Sequence, residues 1–135
     1  MTTVADNTGT VLVTGFPGFL GSRLLPRILR RSPEARAACL VQAKFEALAK
    51  DRVAALEAAE PALAGRIDLV AGDITVPGLG LTDGPALATQ VTEIWHLAAV
   101  YDLSVPRDVG LRVNVEGTRN VLRFAEGCPG LRRHQ

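Results

Sequence analysis

Short apolar runs alternate along the chain with longer segments whose apolar residues recur every three or four positions. Thr10-Val11-Leu12-Val13-Thr14 is rich in β-branched residues and predicts a buried strand. A glycine cluster follows, and Leu20, Leu24, Leu25 and Ile28 then recur at helical spacing. Pro26 falls inside that pattern, where it removes one backbone donor and is expected to bend the helix or mark a weak turn. Ser32-Pro33 closes the element. Ala38-Cys39-Leu40-Val41 predicts a second buried strand, and a helix is expected from about Phe45 to Ala59, with Leu48, Val53 and Leu56 on it, ended by Pro61. Ile67-Asp68-Leu69-Val70 reads as a third strand running into Gly72-Asp73-Ile74-Thr75. The Gly- and Pro-rich stretch from Pro77 to Pro85 is a loop, and a short helix is expected over Ala86 to Val91. Glu93-Ile94-Trp95-His96-Leu97-Ala98-Ala99 predicts the fourth strand and its exit. The last helix is expected from Asp108 to Glu126, buried through Val113, Val121, Leu122 and Ala125, and stopped by Cys128-Pro129-Gly130. Phe19 and Trp95 are expected to be core aromatics.

Strand followed by helix, four times over, implies a parallel sheet with helices on both faces. The expected fold is α/β: one doubly wound, three-layer α/β/α domain over residues 1–135 with strand order 3-2-1-4. At 47% hydrophobic and 21% charged residues, the chain can bury a core and lacks the composition of a disordered segment. A formal net charge of +1 gives no electrostatic case for nucleic acid or an anionic membrane surface. Cys39 and Cys128 are too few and too far apart for a zinc framework, and two reduced thiols are expected. Met1 to Thr8 is polar and lacks the basic and apolar regions of a signal peptide. No apolar run approaches the roughly 20 residues needed to span a bilayer. A cytoplasmic location is therefore expected.

The chemistry begins at Gly15-Phe16-Pro17-Gly18-Phe19-Leu20-Gly21, between the first strand and the first helix. A glycine at a strand end permits a sharp turn, a middle one lets a phosphate approach the backbone, and the third lets the helix pack against the strand. The helix N-terminus then offers unpaired N–H groups and its positive dipole end to a pyrophosphate. A plain structural turn is the alternative. The spacing is Gly-x-x-Gly-x-x-Gly, and Arg23 after Gly21-Ser22 excludes a Walker-A loop.

Four segments together resemble the extended short-chain dehydrogenase/reductase superfamily: Val13-Thr14-Gly15 through Gly21, Gly72 to Thr75, Ile94 to Ala99, and Asn114-Val115-Glu116-Gly117-Thr118-Arg119-Asn120-Val121. The charged helix after the second strand and the Ile-Trp-His-Leu-Ala-Ala-x-Tyr-Asp stretch look like the superfamily's acyl-thioester reductase branch, which includes the fatty acyl-CoA reductases. The resemblance implies a Rossmann-like fold and a nicotinamide dinucleotide lying over Thr14, Gly15, Pro17, Gly18, Phe19, Leu20 and Gly21. It implies that Asp73 and Ile74 flank the adenine, and that Leu97, Ala98 and Ala99 lie beneath the cofactor. Asn114 resembles the family's helix asparagine, which braces the active-site backbone or a water. For Asp73 a turn or capping role stays open, for the alanines simple strand packing, and for Asn114 an unremarkable polar helix position. His96, alone at the end of a buried strand, is a hydrogen-bonded core residue before it is a catalyst.

An acidic residue after the second strand commonly holds the ribose of NAD, whereas a basic one accommodates the 2′-phosphate of NADP. Here the strand runs into Gln42-Ala43-Lys44, without an acid. The arginine usual in the resembled family is absent at Gln42, so Lys44, helped by Arg23, is expected to supply the charge and NADP(H) to be the cofactor, with NAD possible. The superfamily's catalytic Tyr-x-x-x-Lys pair is missing. Tyr101 is the sole tyrosine, Val105 stands four residues on, and the lysines are Lys44 and Lys50. Pro129-Gly130-Leu131-Arg132-Arg133 resembles the segment just before the family's fifth strand, so the chain is expected to be truncated before its catalytic segment. In that case the isolated chain holds cofactor without turnover, the acyl thioester is a substrate only with the missing half, and exposed apolar surface at Val113, Val121 and Leu122 beside an open fourth strand favours self-association. A non-catalytic dinucleotide-binding module and the cofactor half of a sugar-nucleotide epimerase or dehydratase are the alternatives.

Overall fold

The computed structural model describes residues 9–135, so the expectation made for Met1 to Thr8 lies outside the described residues. Five parallel strands form one sheet: β1 (Thr10–Thr14), β2 (Arg36–Val41), β3 (Ile67–Ala71), β4 (Val91–His96) and β5 (Arg133–His134), in the order β3-β2-β1-β4-β5. The helices α1 (Phe19–Arg31), α2 (Glu46–Ala59), α3 (Gly84–Ala88), α4 (Arg107–Gly110) and α5 (Gly117–Glu126) connect them. Strand alternation sorts the core into two layers. Val11, Val13, Ala37, Cys39 and Val41 face Leu25, Ile28, Leu29 and Ala49 of α1 and α2. Leu12, Ala38, Leu40 and Ile94 face Leu79, Ala88 and Val121 on the other side. Apolar burial on both faces is why these strands read as continuous apolar runs.

Several expectations are corrected. The sheet has a fifth strand, because Arg133 and His134 pair with Glu93 and Ile94, so β4 is not an open edge along its middle. Val121 is fully buried rather than exposed; the exposed apolar residues nearby are Leu111, Val115 and Leu122, with Tyr101 and Leu103 in the preceding loop. The short helix ends at Ala88, after its Asp83 cap accepts Ala86 N–H at 3.1 Å, and Val91 already belongs to β4. α1 continues through Pro26. Phe19 is 68% exposed and Leu20 also faces outward, because the first turn of α1 rises above the sheet; Phe16 is the buried aromatic. On α2 the buried residue is Ala49, not Leu48.

Polar anchors hold the layers. The Arg66 guanidinium donates to the carbonyls of Leu29 (2.9 Å), Ser32 (2.7 Å) and Ala35 (2.9 and 3.1 Å), closing the C-terminal end of α1 with a cation where the helix dipole is negative. Arg31 grips both carboxylate oxygens of buried Glu93 at 2.7 Å, and Trp95 Nε1 donates to the same carboxylate at 2.9 Å. Burial alone raises the Glu93 pKa; the Trp95 and Arg31 hydrogen bonds, with the charges of Arg31 and Arg133, outweigh it and hold the carboxyl below its ordinary value.

α4, the six-residue segment Leu111–Glu116 and α5 form one continuous helical run, since every joint keeps right-handed helical backbone angles. The middle segment is a π turn, a wider winding that often marks a functional position in a helix.

Candidate functional site: the cleft at the strand ends

β1 has β2 on one side and β4 on the other, so the chain reverses its winding direction at the C-terminal end of β1. In open α/β sheets ligands bind in the crevice at such a reversal. A cleft of ≈ 800 Å³ opens there, lined by the turn after β1, the residues after β2 and β3, and the loop leaving β4.

The turn is built around the Gly15 carbonyl oxygen. Gly15 has φ +89°, and a Cβ there would lie 2.8 Å from the Leu97 carbonyl carbon. Gly18 N–H donates to that Gly15 oxygen at 2.9 Å, and a Cβ on either Gly18 or Gly21 would come within 2.7 Å of it. Gly18 and Gly21 thus let the turn fold back on the Gly15 carbonyl, a steric role that spacing alone did not separate from making room for phosphate. Ser22 N–H makes the first intrahelical bond, to the Gly18 carbonyl, so the N–H groups of Phe19, Leu20 and Gly21 have no intrahelical acceptor. No acidic side chain occupies the first turn of α1. Those donors and the helix dipole fit a pyrophosphate.

Thr14, Gly15, Pro17, Gly18, Phe19, Leu20, Gln42, Lys44, Asp73, Ile74, Leu97, Ala98 and Ala99 line this cleft. Gly21, Arg23 and Asn114 lie off it. Gly21 packs behind the turn, and Arg23 stacks its guanidinium 4.8 Å from the Phe19 ring centre. Lys44 lies at the edge, its Nζ 5.1 Å from the ring centre of Phe45, which also lines the cleft. Asp73 takes the turn role left open from sequence: its Oδ1 accepts the N–H of Thr75 at 2.8 Å and its hydroxyl at 2.7 Å. Asn114 is no idle surface residue. Its amide accepts Val100 N–H at 2.8 Å and donates to Val100 C=O at 2.7 Å, fixing the loop that leaves β4.

Other parts of the site carried no local signal. Asn120 is buried and donates to the Ile74 carbonyl at 2.8 Å, holding the Asp73 turn against α5, while Gly117 leaves room for the Ile74 side chain. Arg112 and Val113 bring the π turn to the cleft wall. Thr14 is buried and its hydroxyl bonds to His96, whose ring also meets Thr118. Burial and, after it, the charge of His134 hold His96 below its ordinary pKa, favouring the neutral ring.

Compared with known families, residues 13–134 match the NAD-binding family described as "Male sterility protein". The chain belongs to this family. It is an extended short-chain dehydrogenase/reductase domain that binds a nicotinamide dinucleotide. It is similar to a linear gramicidin synthase of Brevibacillus parabrevis, 38% identical over 120 residues that make up 84% of this chain and 2% of that protein. It is also similar to a probable fatty acyl-CoA reductase 4 of Arabidopsis thaliana, 32% identical over 139 residues, covering 88% of this chain and 28% of the relative. Among solved structures, the terminal R domain of the myxalamid PKS-NRPS pathway superposes with a TM-score of 0.79 at 37% identity, over 93% of this chain and 33% of that one. The reductase domain of a Mycobacterium tuberculosis non-ribosomal peptide synthetase gives 0.73 at 29% identity, over 97% and 36%. The chain thus spans between 2% and 36% of the length of these relatives. No helix among the described residues is long and apolar enough to cross a membrane.

Proposed function

We propose that this domain is the NADP(H)-binding portion of a reductase that delivers hydride to an acyl thioester, fatty acyl-CoA or carrier-bound, giving aldehyde or alcohol. The reading is supported by relatives whose names are those of fatty acyl-CoA reductases and terminal reductase domains. The observation that carries the cofactor choice is the exit of β2, where Gln42 and Lys44 line the cleft and no carboxylate stands to hold an unphosphorylated ribose. When bound, the dinucleotide supplies the hydride chemistry. The chain's own residues do the holding: the α1 N-terminus takes the pyrophosphate, Asp73 and Ile74 border the adenine, and Leu97 to Ala99 form the floor. Lys44 would hold the 2′-phosphate on leaving the Phe45 ring, and Arg23, stacked on Phe19 off the cleft, would have to leave that ring to serve as the second cation.

Within these residues Tyr101 is exposed and has Val105 four positions later, so the superfamily's proton-transferring pair has no counterpart. The 135 residues by themselves are expected to bind without oxidising NADPH when acyl-CoA is added. Fluorescence titration with NADPH and NADH tests the cofactor assignment. Tighter NADPH binding is expected, with Lys44→Glu abolishing the preference. Equal affinity for both cofactors, unchanged by Lys44→Glu, refutes it.

A further inference from the structure

Thr14, His96 and Thr118 form a relay whose direction is dictated by its donors. Thr14 Oγ1 accepts the backbone N–H groups of Leu97 at 3.0 Å and Ala98 at 3.1 Å. A hydroxyl has two lone pairs and one proton, so the third contact of that oxygen, 2.7 Å to His96 Nδ1, is the one in which it donates. Nδ1 is then the bare nitrogen, and Nε2 carries the proton that it donates to Thr118 Oγ1 at 3.1 Å. The Thr118 hydroxyl in turn donates to the Asn114 carbonyl at 2.7 Å. At the far end the Asn114 amide holds Val100 through both backbone groups. The relay therefore runs from the glycine turn, across the end of β4, to the helix above the cleft floor.

We propose that His96, as the neutral Nε2–H tautomer, is a positioning residue of the dinucleotide cleft that couples the turn after β1 to the helix carrying Asn114. The proposal rests on the reading that this cleft binds a dinucleotide. A doubly protonated ring does not fit the relay. Its Nδ1–H would face an oxygen whose two lone pairs are already engaged, so Thr14 must release Leu97 or Ala98, or the ring must turn away from Thr118. β1 and the helix present uncharged Thr14 and Thr118 to the ring, and the titratable group whose charge acts on it is His134 of β5. Burial, and after it the charge of His134, lowers the pKa of the ring, so it charges only on the acid side of an ordinary histidine. Dinucleotide affinity is then constant above neutrality and falls as His96 protonates.

The test is calorimetric titration of the protein with NAD⁺ from pH 8 to pH 5, NAD⁺ having no 2′-phosphate to titrate in that range; NADP⁺ serves as the second probe at pH 8. Wild type is expected to lose affinity by about fivefold on the acid side, the weight of roughly one net hydrogen bond. His134→Gln should keep that fall. His96→Asn retains an acceptor for Thr14 but cannot reach Thr118, and His96→Gln retains a donor for Thr118 but not the acceptor at Thr14. Both should bind more weakly than wild type at pH 8 and lose the acid-side fall. Thr118→Val should weaken binding at pH 8 while leaving Thr14 bonded to the ring, and it decides the matter if the His96 variants do not fold. A flat wild-type profile, a fall that survives in either His96 variant, or wild-type affinity in Thr118→Val overturns the proposal. Folded wild type that takes up neither dinucleotide at pH 8 overturns the cofactor reading, and the proposal with it.

Discussion

Alanine at Gly15, Gly65 and Gly110 separates backbone strain from steric contact, because the three sites differ in one respect at a time. Gly110 lies in right-handed helix with open space where a Cβ would go, so alanine there should stabilise by about 0.5–1 kcal/mol. Gly65 also has open space but φ +73°, so alanine there carries only the left-handed penalty, about 1–2 kcal/mol. Gly15 adds contact to a similar penalty. Its φ is +89°, and a Cβ would sit 2.8 Å from the carbonyl carbon of Leu97 and 2.9 Å from Ala98 N, against an ordinary carbon–carbon contact of about 3.5–4.0 Å. Those backbone atoms cannot retreat freely, since Thr14 Oγ1 holds both N–H groups. Clearing the overlap adds about 1–3 kcal/mol of overpacking, for a total of about 2–5 kcal/mol, a large part of the stability of a small domain. Urea unfolding of the three variants measures the series, and NADPH titration of whatever Gly15→Ala protein folds should show lost binding. Equal destabilisation at Gly15 and Gly65 would refute the steric argument.

Three further outcomes follow from the polar anchors. Arg66→Met should cost about 2–3 kcal/mol by leaving the carbonyls at the end of α1 without their cation, and Arg66→Lys should recover only part, since an ammonium cannot span the three acceptors; thermal melts give both values. Because the Glu93 pKa is depressed on folding, its contribution is fully present above its ordinary 4.5 and is lost as pH falls through the lower folded value. Arg31→Met should therefore flatten the acid limb of stability between pH 5 and pH 3 (roughly the carboxylate range), and an acid limb parallel to wild type in urea midpoints would contradict this. Ser32 Oγ is buried without a hydrogen-bond partner among the described residues, so Ser32→Ala should be neutral or stabilising by up to about 1 kcal/mol in the same melts.

The order of the first four strands was legible because a strand buried on both faces must be apolar throughout, and Val11 to Val13, Ala38 to Val41 and Ile94 meet that demand. β5 left no apolar pattern: Arg133 and His134 become a strand only through the neighbour they pair with, and only the resemblance of Pro129 to Arg133 to the segment before a fifth strand pointed to it. Helical spacing located α1 but misjudged Phe19 and Leu20, since periodicity assigns a face along the whole helix while the first turn here stands above the sheet. On α2 the buried position holds Ala49, a residue too small to stand out in a hydrophobic pattern. The glycine spacing disclosed the cleft, but the fact that Gly18 and Gly21 both face the Gly15 oxygen belongs to the folded turn. Arg66, Asn120 and the ring of His96 find partners 22 to 82 positions away in the chain, for which sequence offers no local sign.

A turn that closes on its own carbonyl has a consequence for binding energetics. Gly18 N–H is already bonded to the Gly15 oxygen, and Ser22 Oγ holds the Pro17 carbonyl at 2.9 Å, before any anion arrives. Such a preorganised loop loses little conformational entropy on association, so more of each phosphate contact survives as net affinity. Ligands sharing only the diphosphate, inorganic pyrophosphate among them, should accordingly retain a measurable share of the binding free energy. Their association should be fast and free of a slow ordering phase, because the turn is already closed before they arrive.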